Sequence, residues 1–325
     1  MAIVNWRANV KNLVVKPYWV LGYTTQDFPG DNSSLNTIQQ HGSLIDAYAD
    51  FAYRIFPNAT FTGQINTQIL QEATYLNIAP LILFHNFYAS RFDPHPLIVM
   101  LSSPFLQQLC INNILKVLPA NAAGIYLDFE AIPAHLSIPY INFLESLSVR
   151  LHAEGLLLAI AVPAKIDHWQ GPGYDFQRIG NLCDSVTVMT YDEHFAGGPP
   201  GPIASIPWMT QCLNYATRLI PREKILIGIP VYGYDWSYGQ AKMIPMKEIS
   251  ALVAKTKANV LWSDSAAEPY FFYWQQGVKH TVWFENDTSI KIRLGLVKKY
   301  NVRGIAIWRL GYESKGFWQS VGAEL

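Results

Sequence analysis

The chain has 325 residues, half of them hydrophobic, and its 24 basic and 24 acidic residues cancel to a formal charge of zero. A neutral chain without a Lys/Arg run offers no basic face to a phosphate backbone, which argues against nucleic acid as a partner. Its longest apolar runs, such as LLLAIAV at 156–162, are far too short to span a bilayer.

Charged residues make up 15% of the chain, below the roughly 25% usual for soluble proteins, so a large core is expected. The aromatic share of 14%, with 10 Trp and 18 Tyr, is high. Core packing explains much of it. A sugar-binding cleft would use the rest, because ring faces pack against the apolar faces of pyranoses. Cys110, Cys183 and Cys212 stand alone, without CxxC spacing; Cys110 and Cys212 fall within apolar helical patterns, so the reading is buried free thiols and not a disulfide framework. The opening MAIVNWRANVKNLVV lacks the apolar stretch of a secretory leader, so none is expected there.

Short runs of β-formers recur along the chain. They are PYWVLGYTT (17–25), DFAYRIF (50–56), PLILFHNF (80–87), GIYLDFE (124–130), LLLAIAVPA (156–164), SVTVMTYD (185–192), ILIGIPVYGYDW (225–236) and GIAIWRL (304–310). Near-continuous apolar runs of this kind mark strands covered on both faces, hence a parallel sheet. The DFAYRIF region is also compatible with partial helix. Helical patterns lie between the runs. Ser102-Ser103-Pro104 places a cap and a first-turn proline before one that carries Phe105, Leu106, Leu109, Ile111 and Ile114. Tyr140, Phe143, Leu144, Leu147 and Leu151 form a second stripe, stopped by Gly155. Trp208, Cys212, Leu213, Ala216 and Leu219 form a third. Eight βα units in a row predict an α/β fold of the (β/α)8 TIM-barrel type. One connection is too long: KEISALVAK, LWSD, PYFFYWQ and HTVWFEN predict a small α+β insertion after strand seven, at about 237–286. Since such barrels run past 250 residues as one unit, the whole chain, 1–325, is read as a single catalytic domain.

Barrel active sites lie at the carboxyl ends of the strands. Polar residues gather there: Tyr23, His85 and Asn86, Asp128 and Glu130, Tyr191 and Asp192, Tyr232, Tyr234 and Asp235, and Trp308 with Arg309. Asp128 and Glu130 stand out. Strand alternation points both the same way, with Leu127 and Phe129 on the other side. Burying even one unpaired carboxylate costs several kcal/mol. The pair either stabilises something, as an ion pair with Arg309 or His85 would, or is used.

At these residues the chain resembles a family. Gly124-Ile125-Tyr126-Leu127-Asp128-Phe129-Glu130 is similar to the strand-four signature of glycoside hydrolase family 18, the chitinase family, written DGxDxDxE. Met189-Thr190-Tyr191-Asp192 resembles its MxYD motif, and Trp308 its sugar-floor tryptophan. The segments 192–209, 225–236 and 280–286 look most like the bacterial spore-cortex and spore-germination branch, which acts on peptidoglycan fragments. Two positions depart from the signature: its first Asp is Ala123 here and its middle Asp is Tyr126.

The resemblance implies a glycosidase that cleaves β-1,4 bonds after N-acetylglucosamine, with peptidoglycan or a chitin-like polymer as its carbohydrate partner, no cofactor or metal, and a spore or cell-wall location. It also implies roles. Glu130 would protonate the glycosidic oxygen, for which its pKa must rise from about 4.3 toward 6. Most glycosidases then need a second carboxylate as nucleophile or base, but this family is an exception in which the substrate's own acetamido oxygen attacks. Asp128 would orient that group and Tyr191 would bind its oxygen. Trp308, Asp192, Tyr23, Asn86, Tyr232 and Tyr126 are the candidates for substrate binding. Two other classes compete: a lectin-like barrel that binds sugar without cleaving it, and a metal-dependent hydrolase using His85, Asp128, Glu130 and His194. The former commonly loses the acid, whereas Glu130 is present; the latter has no HxH or HExxH to support it.

Overall fold

The computed structural model describes residues 18–325; the leader expectation falls on earlier residues and lies outside them. Eight parallel strands close on themselves: β1 (Trp19–Thr24), β2 (Ala47–Ile55), β3 (Ala79–His85), β4 (Gly124–Asp128), β5 (Leu157–Pro163), β6 (Ser185–Met189), β7 (Ile225–Pro230) and β8 (Gly304–Trp308). Each pairs with its sequence neighbour, and β8 pairs with β1, with Trp19 opposite Gly304. This is the (β/α)8 barrel. The DFAYRIF region is strand, beginning at Ala47, and its register against β3 slips between Asp50 and Tyr53. Beyond that slip a short strand, Phe61–Gly63, pairs antiparallel with β2. An irregularity of this kind bends a strand and re-aims the side chains beside it, often next to an active site.

Alternation divides the core into two layers. Inside the barrel, Trp19, Leu21, Tyr23, Leu81, Leu83 and Tyr126 pack over the alanines Ala47, Ala49, Ala79, Ala123, Ala159, Ala161 and Ala306. The small side chains leave the volume that the large rings fill. Ala123 therefore belongs to apolar barrel packing. Outside, residues such as Val20, Phe84, Leu127 and Phe129 meet the helices. The helix Pro104–Val117 starts where Ser103 Oγ accepts the Leu106 N–H at 3.3 Å, a cap worth about 1 kcal/mol. The helix Ser137–Ala153 buries Tyr140, Phe143, Leu144, Leu147 and Leu151, each contributing roughly 1.5–3 kcal/mol. Gly155 then takes φ +68°, the left-handed geometry that ends a helix without a Cβ penalty. All three cysteines are free and buried.

The expected seventh strand is two strands. β7 ends at Pro230, and Tyr232–Ser237 leaves the barrel to pair antiparallel with Gln240–Pro245 and Val278–Phe284. With Glu268–Gln275 and Leu261–Ser263 these form a five-stranded sheet, backed by the helix Met246–Thr256. The extra sheet thus begins before the expected boundary at Ser237. ILIGIP is continuous and apolar, as a barrel strand is, whereas YGYDW alternates, as a half-covered antiparallel strand does. A run of β-formers does not itself show where the chain changes partner.

A buried ion cluster ties this sheet to the barrel. Arg293, on the helix Asp287–Tyr300, is fully buried. It lies 2.8 Å from Glu268 and 3.0 Å from Glu285, and it donates to the carbonyls of Ala204, Ala267 and Ser289. Glu268 also accepts the N–H groups of Ile203 and Ala204 at 2.7 and 3.2 Å. The insertion, the loop after β6 and the helix before β8 meet at one guanidinium.

Candidate active site

β4 carries Asp128 at its last position, buried at 3% exposure. Phe129 turns outward into the helix layer, and the Tyr174 hydroxyl donates to its carbonyl at 2.7 Å. Glu130 turns back to the mouth, half-buried. Ala131 follows at φ +59°, a left-handed position that is uncommon for a residue with a Cβ, so the chain swings away directly after the carboxylate.

Asn86 sets the height of Glu130. Its Oδ1 accepts the Glu130 N–H and its Nδ2 donates to the Glu130 carbonyl, both at 2.9 Å; Nδ2 also donates to Asp93 O at 2.8 Å. Expected to touch substrate, Asn86 instead spends its buried carboxamide on main chain. It is a clamp on the strand-four end.

Neither carboxylate has a cation among the described residues. Arg309 pairs with Asp27 and Thr25. His85 stands opposite Asp128 in the β3–β4 register, but its ring stacks on Phe51 at 4.0 Å and its Nδ1 accepts the Phe87 N–H. Burial and nearby Arg54 push its pKa down to about 3, so it is neutral. Asp128 Oδ1 has no hydrogen-bond partner among the described residues. Burial lifts the Asp128 pKa to about 7. Burial, followed by the negative charges of Asp128 and Asp192, holds Glu130 well above the usual carboxylate range. The Asp128 charge acts directly on Glu130, so the two acids titrate as a pair. A desolvated acid of this kind keeps its proton near neutral pH and can donate it.

β6 brings the second half of the site. Thr190 Oγ1 donates to Gly228 O at 2.8 Å, fixing the strand end. The Tyr191 ring lies over Gly228, where a Cβ would come within 2.7 Å of it; only glycine leaves room. Asp192 follows at φ +60°. Tyr232 donates to Asp192 Oδ1 at 2.5 Å, and Tyr234 is bonded to the same carboxylate. Burial raises Asp192, against those bonds, which lower it. Tyr232, fully buried, therefore holds Asp192 and is covered from the mouth.

Tyr126 and Tyr23 are buried inside the barrel with their hydroxyls 2.5 Å apart. Both feel the Asp128 charge. They make a phenolic layer where the signature's middle Asp would stand. Trp308, half-buried, meets Tyr23 and Phe51 edge-on, at 5.1 and 5.9 Å between centroids. Asp128, Glu130, Tyr191, Asp192, Tyr23, Tyr126, Tyr232 and Trp308 thus converge on one mouth, though Tyr23, Tyr126 and Tyr232 lie in its supporting layer.

The residues proposed for a metal do not converge. His194 Nδ1 is bonded to Pro202 O at 3.0 Å within its own loop, and no group of three or more His, Cys, Asp or Glu is placed to hold an ion among the described residues. Sequence reasoning missed Asp50 and Tyr174. Asp50 lies in β2 where its register slips, accepts from Thr24 Oγ1 and Asn66 N–H, and is raised by burial to about 6. Its signal was available, a carboxylate at the start of the DFAYRIF run. Tyr174 follows no local pattern.

A closed eight-stranded barrel with raised carboxyl groups at the carboxyl ends of its strands, beside a half-buried tryptophan, is an arrangement that suits a carbohydrate hydrolase. The chain belongs to the glycosyl hydrolases family 18, whose profile matches residues 97–313. It is a glycosidase, acting on carbohydrate. The glycosylase YvbX of Bacillus subtilis is 29% identical over 313 residues, covering 93% of this chain and 90% of the relative. The Bacillus cereus spore cortex-lytic enzyme SleL superposes with a TM-score of 0.87 at 26% identity, covering 95% of this chain and 74% of SleL. A chitinase from Chromobacterium violaceum also superposes with a TM-score of 0.87, at 28% identity, covering 94% of this chain and 98% of the chitinase.

Proposed function

We propose that this chain cleaves the β-1,4 bond after N-acetylglucosamine in peptidoglycan of the spore cortex, with retention, by substrate-assisted catalysis, as one catalytic unit located at the spore or cell wall. The observation that carries the mechanism is the strand-four pair: two carboxyl groups on one face with no cation among the described residues, and one Asp128 oxygen without a partner there. Glu130, half-exposed and protonated, donates to the leaving oxygen. Asp128 lies on the same strand and the same face, so it cannot attack from the opposite side of the sugar as a separate nucleophile must. Its unpartnered oxygen is instead suited to the acetamido N–H, turning the acetamido oxygen toward the anomeric carbon. The Tyr191 hydroxyl, which feels the charge of both carboxyl groups, is suited to that acetamido oxygen. Asp192 supports the pair from β6, and Trp308 provides the floor on which the sugar is held in reacting geometry. After cyclisation the Glu130 carboxylate takes a proton from water, which opens the ring on the same face.

The likeness to the cortex-lytic enzyme supports peptidoglycan as substrate. The likeness to the Chromobacterium chitinase, which this chain covers almost end to end, keeps chitooligosaccharides as the second reading. One experiment addresses both. Chitooligosaccharides and cortex muropeptides are digested side by side, and the new reducing end is identified by mass and its first anomer by NMR. Muropeptides cut to leave N-acetylglucosamine at the reducing end, in the β form, are expected, with inhibition by a thiazoline mimic of the cyclised intermediate. Efficient cleavage after glucosamine, or an α first product, would sink the acetamido mechanism. Turnover of chitooligosaccharides alone would favour the second reading.

A further inference from the structure

The inserted sheet has two faces of different character. Phe271, Tyr273, Val282 and Phe284 are buried toward the helix Met246–Thr256. Tyr270, Phe272 and Trp274 alternate with them on one strand and so share the opposite face, spaced roughly 6.5 Å apart. That face opens outward: Phe272 is 40% exposed and Trp274 is 70% exposed. It is continuous with the catalytic mouth. Tyr232 and Tyr234 pack with Tyr191, Trp308 and Trp283 in one cluster. Tyr234 stands opposite Trp283 in the sheet. Trp283 stacks on Tyr270 at 4.6 Å and 16° between planes, and Tyr270 meets Phe272 at 5.6 Å. A row of rings therefore runs from the site's tyrosines outward to Trp274.

A cation sits in the row. Lys279 pairs with Trp274 across the strands, and its ammonium lies 4.3 Å from the centre of the Phe272 ring. Exposed aromatic surface of this extent, continuous with a binding cleft, marks a binding site. Rings in a row suit the alternating apolar faces of a β-linked glycan. The ammonium suits a polymer that also carries carboxylates.

We propose that Tyr270, Phe272 and Trp274, with Lys279, form a second binding surface for the glycan strands of peptidoglycan, gripping the polymer beyond the sugars at the cleaved bond. This rests on the glycosidase reading above for its choice of polymer. Muramyl-linked peptides carry carboxylates that Lys279 can meet; chitin is neutral and gives that cation nothing to pair.

The test is the double variant Phe272→Ser/Trp274→Ser in the full chain, with Lys279→Gln as a second variant. Both sites are exposed, and a thermal melt checks folding. Purified sacculi and insoluble chitin are pelleted with each protein, and turnover of a soluble tetrasaccharide is measured separately. The double variant should bind sacculi about tenfold more weakly, the scale of one or two ring contacts. It should turn over the tetrasaccharide within about twofold of wild type. The Lys279→Gln variant should weaken binding to sacculi and leave binding to chitin alone. Unchanged pelleting with sacculi overturns the proposal. So does an equal loss on the tetrasaccharide, binding to chitin but not to sacculi, or a wild-type dimer that the double variant splits. A wild-type protein that pellets through these residues yet hydrolyses nothing would count against the catalytic reading and leave this surface standing.

Discussion

Two groups of carboxylates in this protein, one at the barrel mouth and one where the inserted sheet meets the barrel, differ in one respect. Glu268 and Glu285 share Arg293, and the Glu268 carboxylate is supplied with two backbone N–H groups besides. Asp128 and Glu130 have no cation among the described residues, and one Asp128 oxygen has no hydrogen-bond partner there. The first arrangement joins three segments of chain. The second stores proton affinity at the barrel mouth. Burial raises all four carboxyl groups, but only in the first does a cation oppose it. A buried carboxylate without a counterion adds no stability to the fold, so its presence points to chemistry.

Four changes break or sharpen that contrast. The largest effect is expected from Glu130→Gln, which keeps the shape and removes the transferable proton. Turnover should fall by about 10²–10⁴ while sugar binding, followed by titration calorimetry, persists. Near-wild-type hydrolysis would remove Glu130 from the role of acid. Next, Arg293→Met leaves two carboxyl groups buried without their cation. It should cost roughly 3–5 kcal/mol in urea unfolding at pH 8. The loss should shrink at pH 5, where protonation neutralises the two acids. A cost under about 1 kcal/mol would show that the cluster does not hold the insertion.

Asn86→Ala releases the clamp on Glu130 and touches no reacting atom. We expect kcat to fall about tenfold with KM little changed, as misplacement of a catalytic group predicts. A change confined to KM would return Asn86 to the substrate-binding set.

Asp128→Asn gives the smallest stability effect and the sharpest sign. The folded-state pKa of Asp128, about 7, lies above its ordinary value of 3.8. The folded state therefore binds the extra proton, and this contribution to stability is fully present below about pH 4 and is lost as pH rises through 7. Asn has no charge to bury, so the variant should melt higher than wild type at pH 8 and close to it at pH 4. Its residual activity should also lose its basic limb at lower pH, because the negative charge of Asp128 helps hold the Glu130 proton. A variant less stable than wild type at pH 8 would mean that Asp128 is a structural anion after all.

Much of this was legible in the sequence because it depends on neighbours along the chain. The apolar runs fixed eight strands, since burial on both faces leaves no polar side to alternate. Strand alternation alone placed Asp128 and Glu130 on one face and Phe129 on the other. The caps at Ser103 and Gly155 were local chemistry. The rest depended on residues far apart. Tyr232 was read as the end of a barrel strand, but it pairs with Pro245 and holds Asp192. Asn86 was read as a sugar ligand, but Glu130, 44 residues later, takes its amide. Which buried carboxylate meets a guanidinium and which meets none was decided only when helix, insertion and loop closed around Arg293. The sequence by itself determined the barrel and the two carboxylates on one face, because period and burial are properties of a strand. The tertiary structure decided what each acid does, because proton affinity is set by the charges and solvent that surround it, and those arrive from the whole chain.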